Sequence, residues 1–329
     1  MKTVFVFPGQ GSQYVGMGRD LYETYAEARA LFDEADGTLG FSLSRLCFEG
    51  PKEELDDTIN TQPAILAMSV ACFKALGTRY KVQGKGRENL EPRTLNLEPA
   101  FVAGHSMGEY TALVAAGALD FADGLRLVRE RGHVMKEAGE LNPGAMAAII
   151  GLDAGTLQEI CQEASFQLPV SIVQIANYNA PGQIVISGHK EALERAMELA
   201  KERGARRVIP LAVSIASHSP LMQPAADAFA SIVAQVDFHQ PRVPVVANVT
   251  AAPITTVAEI REELVGQLTS TVRWVESIQY MIAQGVTTFV EIGPKNVLTG
   301  LIRRIDKSVR VMNVENVEGA KAFLEEKWS

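Results

Sequence analysis

Apolar and polar positions alternate between two rhythms along this chain. The run "TVFVF" (3–7) breaks at Pro8-Gly9 and reads as a short buried strand entering a glycine-rich turn. Apolar positions then recur with helical spacing from about Asp20 to Leu39, and again over "PAILAMSVACFKAL" (63–76). Between them "EGPKEELDDT" (49–58) reads as a polar connection. Residues 83–99 carry Gly, Pro and Asn with no apolar period, the pattern of a surface loop. "AFVAGHS" (100–106) predicts a strand, and "EYTALVAAGAL" (109–119) a helix directly behind it.

From 142 to 213 the rhythm changes. "GAMAAIIGL" (144–152) is strand-like, and "DAGTLQEICQEAS" (153–165) is an amphipathic helix with Asp153 placed to cap it. "VSIVQIANYN" (170–179) and "GQIVISG" (182–188) are strands joined by the turn signal "APG". "HKEALERAMELAKERG" (189–204) is a helix closing on Gly204, and "ARRVIPLAVS" (205–214) a last strand. The order β-α-β-β-α-β is the split, ferredoxin-like unit. The expected fold is α/β: a larger core from residues 1–141 and 214–329, interrupted by a ferredoxin-like subdomain over 142–213.

Composition narrows the setting. The 329 residues are 47% hydrophobic and 21% charged with a formal net charge of −8, enough chain to bury a sizeable core. An acidic balance argues against a nucleic-acid partner, whose footprint is a basic domain. The basic runs "KERGARR" (201–207) and "RRIDKSVR" (303–310) are either a small basic patch for an acidic partner or solvated helix ends. Cys47, Cys72 and Cys161 show no metal-ligand spacing and fit small apolar packing roles in a reducing compartment. The N-terminal apolar run is short for a signal peptide, and no stretch has the length and apolarity of a membrane span. A cytoplasmic protein without membrane attachment is expected.

Ser106 lies in G-H-S-M-G, a G-x-S-x-G match between a predicted strand and a predicted helix. That setting puts a serine on a sharp turn and aims a helix N-terminus at any oxyanion forming beside it. The N–H of Met107, next in the chain, is the natural first donor. Among five histidines, His105 adjoins the serine and should point elsewhere. His133 falls on the polar face of a helix, His189 begins one, and His239 reads as a strand-edge or loop residue. His218, after a strand in "SIASHSPLM", has the better position for a base. Asp120, Asp123 and Asp153 all read as helix starts, so the third member of a triad need not be an acid.

The start "FPGQGSQYVGMG" (7–18) fails the dinucleotide fingerprint, because Tyr14 stands where the third glycine belongs. What remains is a turn able to bring the Gln10 N–H to a reacting group, or simply a tight turn. In "FADGLRLVRERGHVMKEA" (121–138) positions 126, 129, 130, 133 and 137 form a polar stripe, whereas Arg131 shares the inward stripe with Leu127, Val128 and Met135. Arg126 and Arg129 are thus expected to face water. A guanidinium on the inward face requires a partner, either an internal acid or a substrate carboxylate held in a bidentate pair.

Together these segments resemble the malonyl-CoA:acyl-carrier-protein transacylases, the malonyltransferases of bacterial fatty-acid and polyketide synthesis. The resemblance runs through "FVFPGQGSQYVGMG", "TQPAIL", "GHSMGEYTALVAAGALDFADGLRLVRERG", "GAMAAIIGL", "NAPGQIVISGHKEA", "SHSPLMQPAAD", "PVVANV" and "VEIGPKNVLTGL", nearly the whole chain. It implies an α/β-hydrolase-like core carrying the ferredoxin-like insert. It implies Ser106 as nucleophile, His218 as general base and acid, and an oxyanion hole from the Gln10 and Met107 N–H groups. Arg131 would hold the malonyl carboxylate, Gln62 would line the pocket, and the Gln267 backbone carbonyl would orient His218. The implied partners are malonyl-CoA and the phosphopantetheine arm of acyl carrier protein. No metal or cofactor is implied, and a monomer is expected. A thioester hydrolase would share Ser106 and His218 without needing Arg131, and a non-catalytic carrier-binding subunit would never become acylated.

Overall fold

The computed structural model describes residues 2–78, 99–167 and 171–326; positions 83–98 of the expected loop lie outside the described residues. The chain opens with β1 (Lys2–Phe7). Helices α1 (Arg19–Thr24), α2 (Ala26–Leu39), α3 (Leu43–Glu49), α4 (Lys52–Asp56) and α5 (Thr58–Thr78) follow, then β2 (Phe101–Gly104), α6 (Gly108–Ala115) and α7 (Phe121–Leu141). The middle of the chain runs β3 (Gly144–Ile150), α8 (Ala154–Gln167), β4 (Val173–Ala180), β5 (Gln183–His189), α9 (Lys190–Glu202) and β6 (Arg207–Pro210). It then returns through α10 (Gln223–Val233), β7 (Val245–Val246), β8 (Pro253–Ile254), α11 (Val257–Gly266), α12 (Trp274–Ala283), β9 (Val286–Ile292), α13 (Val297–Ile305), β10 (Arg310–Val314) and α14 (Val317–Glu325).

Two sheets result. The larger has the order β10-β9-β1-β2-β7-β8 and is parallel except at β8. Its central strand has no polar face: Phe5 and Phe7 enter the apolar cluster on one side, while Val4 and Val6 enter the cluster on the other. Burial on both faces is why "TVFVF" shows no alternation. The register pairs Phe7 with Gly104, so β1 and β2 end level with one another. The turns that follow them therefore meet at the carboxyl edge of the sheet, where open α/β folds place their sites.

The second sheet is antiparallel, order β4-β5-β3-β6, with α8 and α9 packed on it through Leu157, Ile160, Leu193 and Ala196. Crossing from β3 through α8 to β4 and from β5 through α9 to β6 gives the interleaved order expected of a ferredoxin-like unit. This sheet is tied to the larger unit by backbone. Val272, between α11 and α12, donates its N–H to Ala176 O at 2.8 Å and accepts the Tyr178 N–H at 2.9 Å.

Four expectations are corrected. The helix over 20–39 is broken at Tyr25, which is extended (φ −114°) and buried against the core. The connection 49–58 contains α4, whose Leu55 is fully buried; one apolar residue in a polar turn leaves no periodic signal. Helix α5 starts at Thr58 rather than at Pro63. The Asp57 carbonyl accepts the Asn60 and Thr61 N–H groups, and Pro63 forgoes a single ladder bond. The last strand of the small sheet is only Arg207–Pro210, an edge strand paired on one side and ending at a residue without an N–H. Among the described residues no helix is long and apolar enough to cross a membrane.

Candidate active site

Ser106 sits between β2 and α6 with φ 52°, a left-handed conformation that costs a non-glycine residue on the order of 1–3 kcal/mol. The surrounding glycines make the turn possible. A Cβ on Gly108 would lie 2.2 Å from the Phe7 carbonyl oxygen, and one on Gly104 would lie 1.9 Å from the Gly108 carbonyl carbon. A Cβ on Gly9 would fall 2.4 Å from the His105 carbonyl oxygen, so the Pro8–Gly11 turn is pressed directly against the serine turn. Asn248, just past β7, braces the strained residue. Its Oδ1 accepts the Ser106 N–H at 2.8 Å and its Nδ2 donates to Gly104 O at 2.7 Å.

His218 is the histidine that reaches the serine. Its Nε2 lies 2.8 Å from Ser106 Oγ, and its Nδ1 lies 2.8 Å from the Gln267 backbone oxygen. A carbonyl oxygen only accepts, so Nδ1 carries the ring proton and Nε2 is left to accept from the hydroxyl. The residue is 4% exposed and, like Ser106, has positive φ (59°). Burial first, and then the charge of Arg131, lower its pKa to about 3, which keeps the imidazole neutral. A neutral imidazole held at one nitrogen and touching a hydroxyl at the other can take up that hydroxyl's proton.

The remaining histidines lie elsewhere. His105 Nε2 donates to Asn179 Oδ1 at 2.7 Å and its ring meets Trp274 edge-on. His189 Nδ1 accepts the Ile172 N–H, and the His239 N–H donates to Ala118 O. Asp123 pairs with Arg126, and Asp153 accepts the Thr156 N–H and hydroxyl.

Arg131 is 2% exposed on the inner face of α7. Its Nη1 donates to Gln62 Oε1 at 2.8 Å. Its Nη2 donates to Gln267 Oε1 at 2.9 Å and reaches to 3.4 Å of Ser106 Oγ. The Tyr110 ring lies under the guanidinium, 5.6 Å from Cζ to centroid. Among the described residues no carboxylate bonds to it, and Nε has no acceptor. The internal-acid alternative for direct partnership is thereby excluded; the guanidinium is held beside the serine by two amide carbonyls. Arg129, expected in water, is instead half-buried with its guanidinium 4.4 Å from the Phe41 ring centroid, because α2 and α3 fold over that side of α7.

Gln62 is fully buried and does more than line a wall. Its Nε2 donates to Thr58 Oγ1 at 3.0 Å, and Thr58 donates to Gln10 Oε1 at 3.1 Å, so a polar chain joins Arg131 to the Pro8–Gly11 turn. The bonds of the two turns leave specific donors out. Ser106 N–H goes to Asn248, Gly108 N–H to His105 O, Gly11 N–H to Gln13 Oε1 and Ser12 N–H to Gly9 O. The N–H groups of Met107 and Gln10 take no part in that bonding, the condition for donating to an incoming oxygen.

Several residues had no role in the reading of the sequence. Asn248, Gln174, Thr58 and Glu109 all reach this centre, and Asn179 holds His105 beside the serine turn. Gln174 Nε2 donates to His218 O at 2.8 Å. Glu109 is fully buried and accepts the Asn248 N–H at 3.2 Å and the Gln267 Nε2 hydrogen. An acid at the head of the apolar run "YTALVAAG" was the one signal available, the counterpart of the arginine on the wrong face.

The chain matches the family model described as "Acyl transferase domain" over residues 4–322. It is 48% identical over 328 residues to the malonyl CoA-acyl carrier protein transacylase of Bacillus subtilis, covering 99% of this chain and 98% of that one. It is 46% identical over 321 residues to the Escherichia coli K12 protein of the same name, covering 98% of each. Among solved structures it is similar to the malonyl CoA-acyl carrier protein transacylase of Coxiella burnetii, with a TM-score of 0.89, 41% identity, and coverage of 99% and 97%. A second is a type II polyketide acyl-carrier protein in complex with its malonyl-transacylase, with a TM-score of 0.90, 42% identity, and coverage of 99% and 100%.

Proposed function

This chain belongs to the acyl transferase family and, within it, to the malonyl CoA-acyl carrier protein transacylases, and from that membership we propose the part that each residue of the site plays. The protein is an acyltransferase that moves a malonyl group from malonyl-CoA to acyl carrier protein.

In the first half-reaction His218 Nε2 takes the Ser106 hydroxyl proton as Oγ attacks the thioester carbonyl. The resulting oxyanion is received by the Met107 and Gln10 N–H groups at the two abutting turns. Collapse expels the CoA sulfur, which takes the proton from His218 and leaves a malonyl-serine ester. In the second half-reaction the phosphopantetheine thiol of the carrier protein gives its proton to His218 and attacks the ester. Collapse returns Oγ as the leaving group, with the proton from His218. Arg131 binds the malonyl carboxylate throughout, which fixes the ester and selects a diacid acyl group. Base, oxyanion donors and cation all come from one chain, so a monomer without a cofactor suffices. Three buried, unpaired thiols fit the cytoplasm.

The observation that carries this reading is the convergence on one oxygen: Ser106 Oγ has His218 Nε2 at 2.8 Å and a carboxylate-free Arg131 at 3.4 Å. The test is intact mass after mixing with malonyl-CoA, followed by a chase with phosphopantetheinylated carrier protein or with buffer. A malonyl adduct should form and be discharged to the carrier far faster than to water. Equal discharge with and without the carrier would make the protein a hydrolase.

The pH dependence follows from the state of His218. Its folded pKa of about 3 lies below the ordinary imidazole value of about 6.5, so the base stays unprotonated as pH falls through 6. The acid limb of kcat/KM for malonyl-CoA is therefore expected well below 6.5. A limb centred on 6.5 would mean that burial and the Arg131 charge do not govern this imidazole. For stability the sign is the same: the unfolded chain takes up a proton here that the folded chain refuses. This residue's contribution is thus complete above about 6.5 and declines on acidification.

A further inference from the structure

A buried guanidinium requires acceptors, yet an acid bonded directly to Arg131 would occupy the fork that the substrate needs. The structure supplies neutral amide oxygens instead, from Gln62 and Gln267. Glu109, fully buried one position after the nucleophile's second glycine, lies across Gln267 from the arginine.

We propose that Glu109 is a positioning residue for diacid selectivity, holding the Gln267 amide so that its oxygen faces Arg131. This rests on the reading that Arg131 binds the malonyl carboxylate.

The argument is one of donor and acceptor order. A backbone N–H and an amide NH2 only donate, and so does a guanidinium. Glu109 Oε1 takes the Asn248 N–H and Oε2 takes Gln267 Nε2. The second hydrogen of that Nε2 goes to the Ser106 carbonyl at 3.2 Å. With both hydrogens of Nε2 committed, Gln267 Oε1 must turn toward Arg131 Nη2, where it lies at 2.9 Å. A flipped amide would set its NH2 against the guanidinium and its carbonyl against the Ser106 carbonyl, two repulsive contacts in place of two attractive ones. The Gln267 backbone oxygen meanwhile holds His218 Nδ1, so one residue fixes the base through its main chain and the cation through its side chain. Burial first, and then the nearby Glu263, push the Glu109 carboxyl well above the usual carboxylate range, and Glu263 Oε1 accepts the Val249 N–H.

The test compares kcat/KM for malonyl-CoA and acetyl-CoA in Glu109→Gln. Glutamine offers one acceptor where two donors, Asn248 N–H and Gln267 Nε2, require one each. The malonyl-to-acetyl ratio should fall about tenfold or more, the size expected for one charge-assisted hydrogen bond. Glu109→Asp keeps two acceptor oxygens and should recover part of the ratio. In an Arg131→Ala background Glu109→Gln should no longer change it. Equal losses for both acyl groups would overturn the proposal and leave Glu109 as a brace for the Asn248 backbone. If Arg131→Ala alone leaves the ratio unchanged, the reading of Arg131 fails instead. Should Glu109→Gln not fold, Gln267→Met settles the matter: it keeps the backbone carbonyl, and an unchanged ratio in it would equally overturn the proposal.

Discussion

Ser106→Ala is expected to abolish the malonyl adduct on intact mass and to lower malonyl transfer by about 10⁶-fold, the loss seen when a nucleophile acting with its base is removed. The effect should be confined to chemistry. Alanine tolerates the left-handed backbone no worse than serine, and the brace on residue 106 runs from its N–H to Asn248, which the substitution leaves in place. Binding of malonyl-CoA to the variant, measured by calorimetry, should persist because Arg131 and its two glutamines are untouched. Covalent malonylation of the alanine variant would show that another group carries the acyl chain.

Arg131→Ala is the second large effect, and it should divide by substrate. Malonyl transfer should fall by about 30- to 5,000-fold, the equivalent of about 2–5 kcal/mol for truncating one side of a buried charge pair. Acetyl transfer should be retained or rise, because removing the cation frees space and strips no contact from an acyl group that lacks a carboxylate. Parallel rates with malonyl-CoA and acetyl-CoA decide it; equal losses for both would reduce Arg131 to a structural support. A companion readout is the acid limb of the rate profile. Loss of the positive charge removes the second contributor to the depressed His218 value and should move the limb to higher pH.

How far the sequence carries can be judged residue by residue. Ser106, His218 and Arg131 were visible because each breaks a local rule: a serine between two glycines at a strand–helix junction, a histidine where a strand gives out, a cation on an apolar stripe. The alternating order of strands and helices over 144–210 was visible because each element has its own period. Gln267 as the holder of the histidine was not visible from pattern, since the bond uses a backbone oxygen that any residue possesses. Asn248 and Glu109 act through contacts across 139 and 142 positions of chain, and no short-range spacing records such a meeting. The break at Tyr25 and the single turn of α4 follow from packing of the helical layer, where tertiary burial overrides periodicity.

The seam between the two sheets has a consequence for chimaeras. Strand β4 shares main-chain bonds with Val272, Gln174 holds the carbonyl of His218, and Asn179 holds the ring of His105. The smaller sheet thus supplies part of the scaffolding that holds His218 and the serine turn. Exchanging it between relatives as a self-contained cassette would transplant those three attachments or sever them.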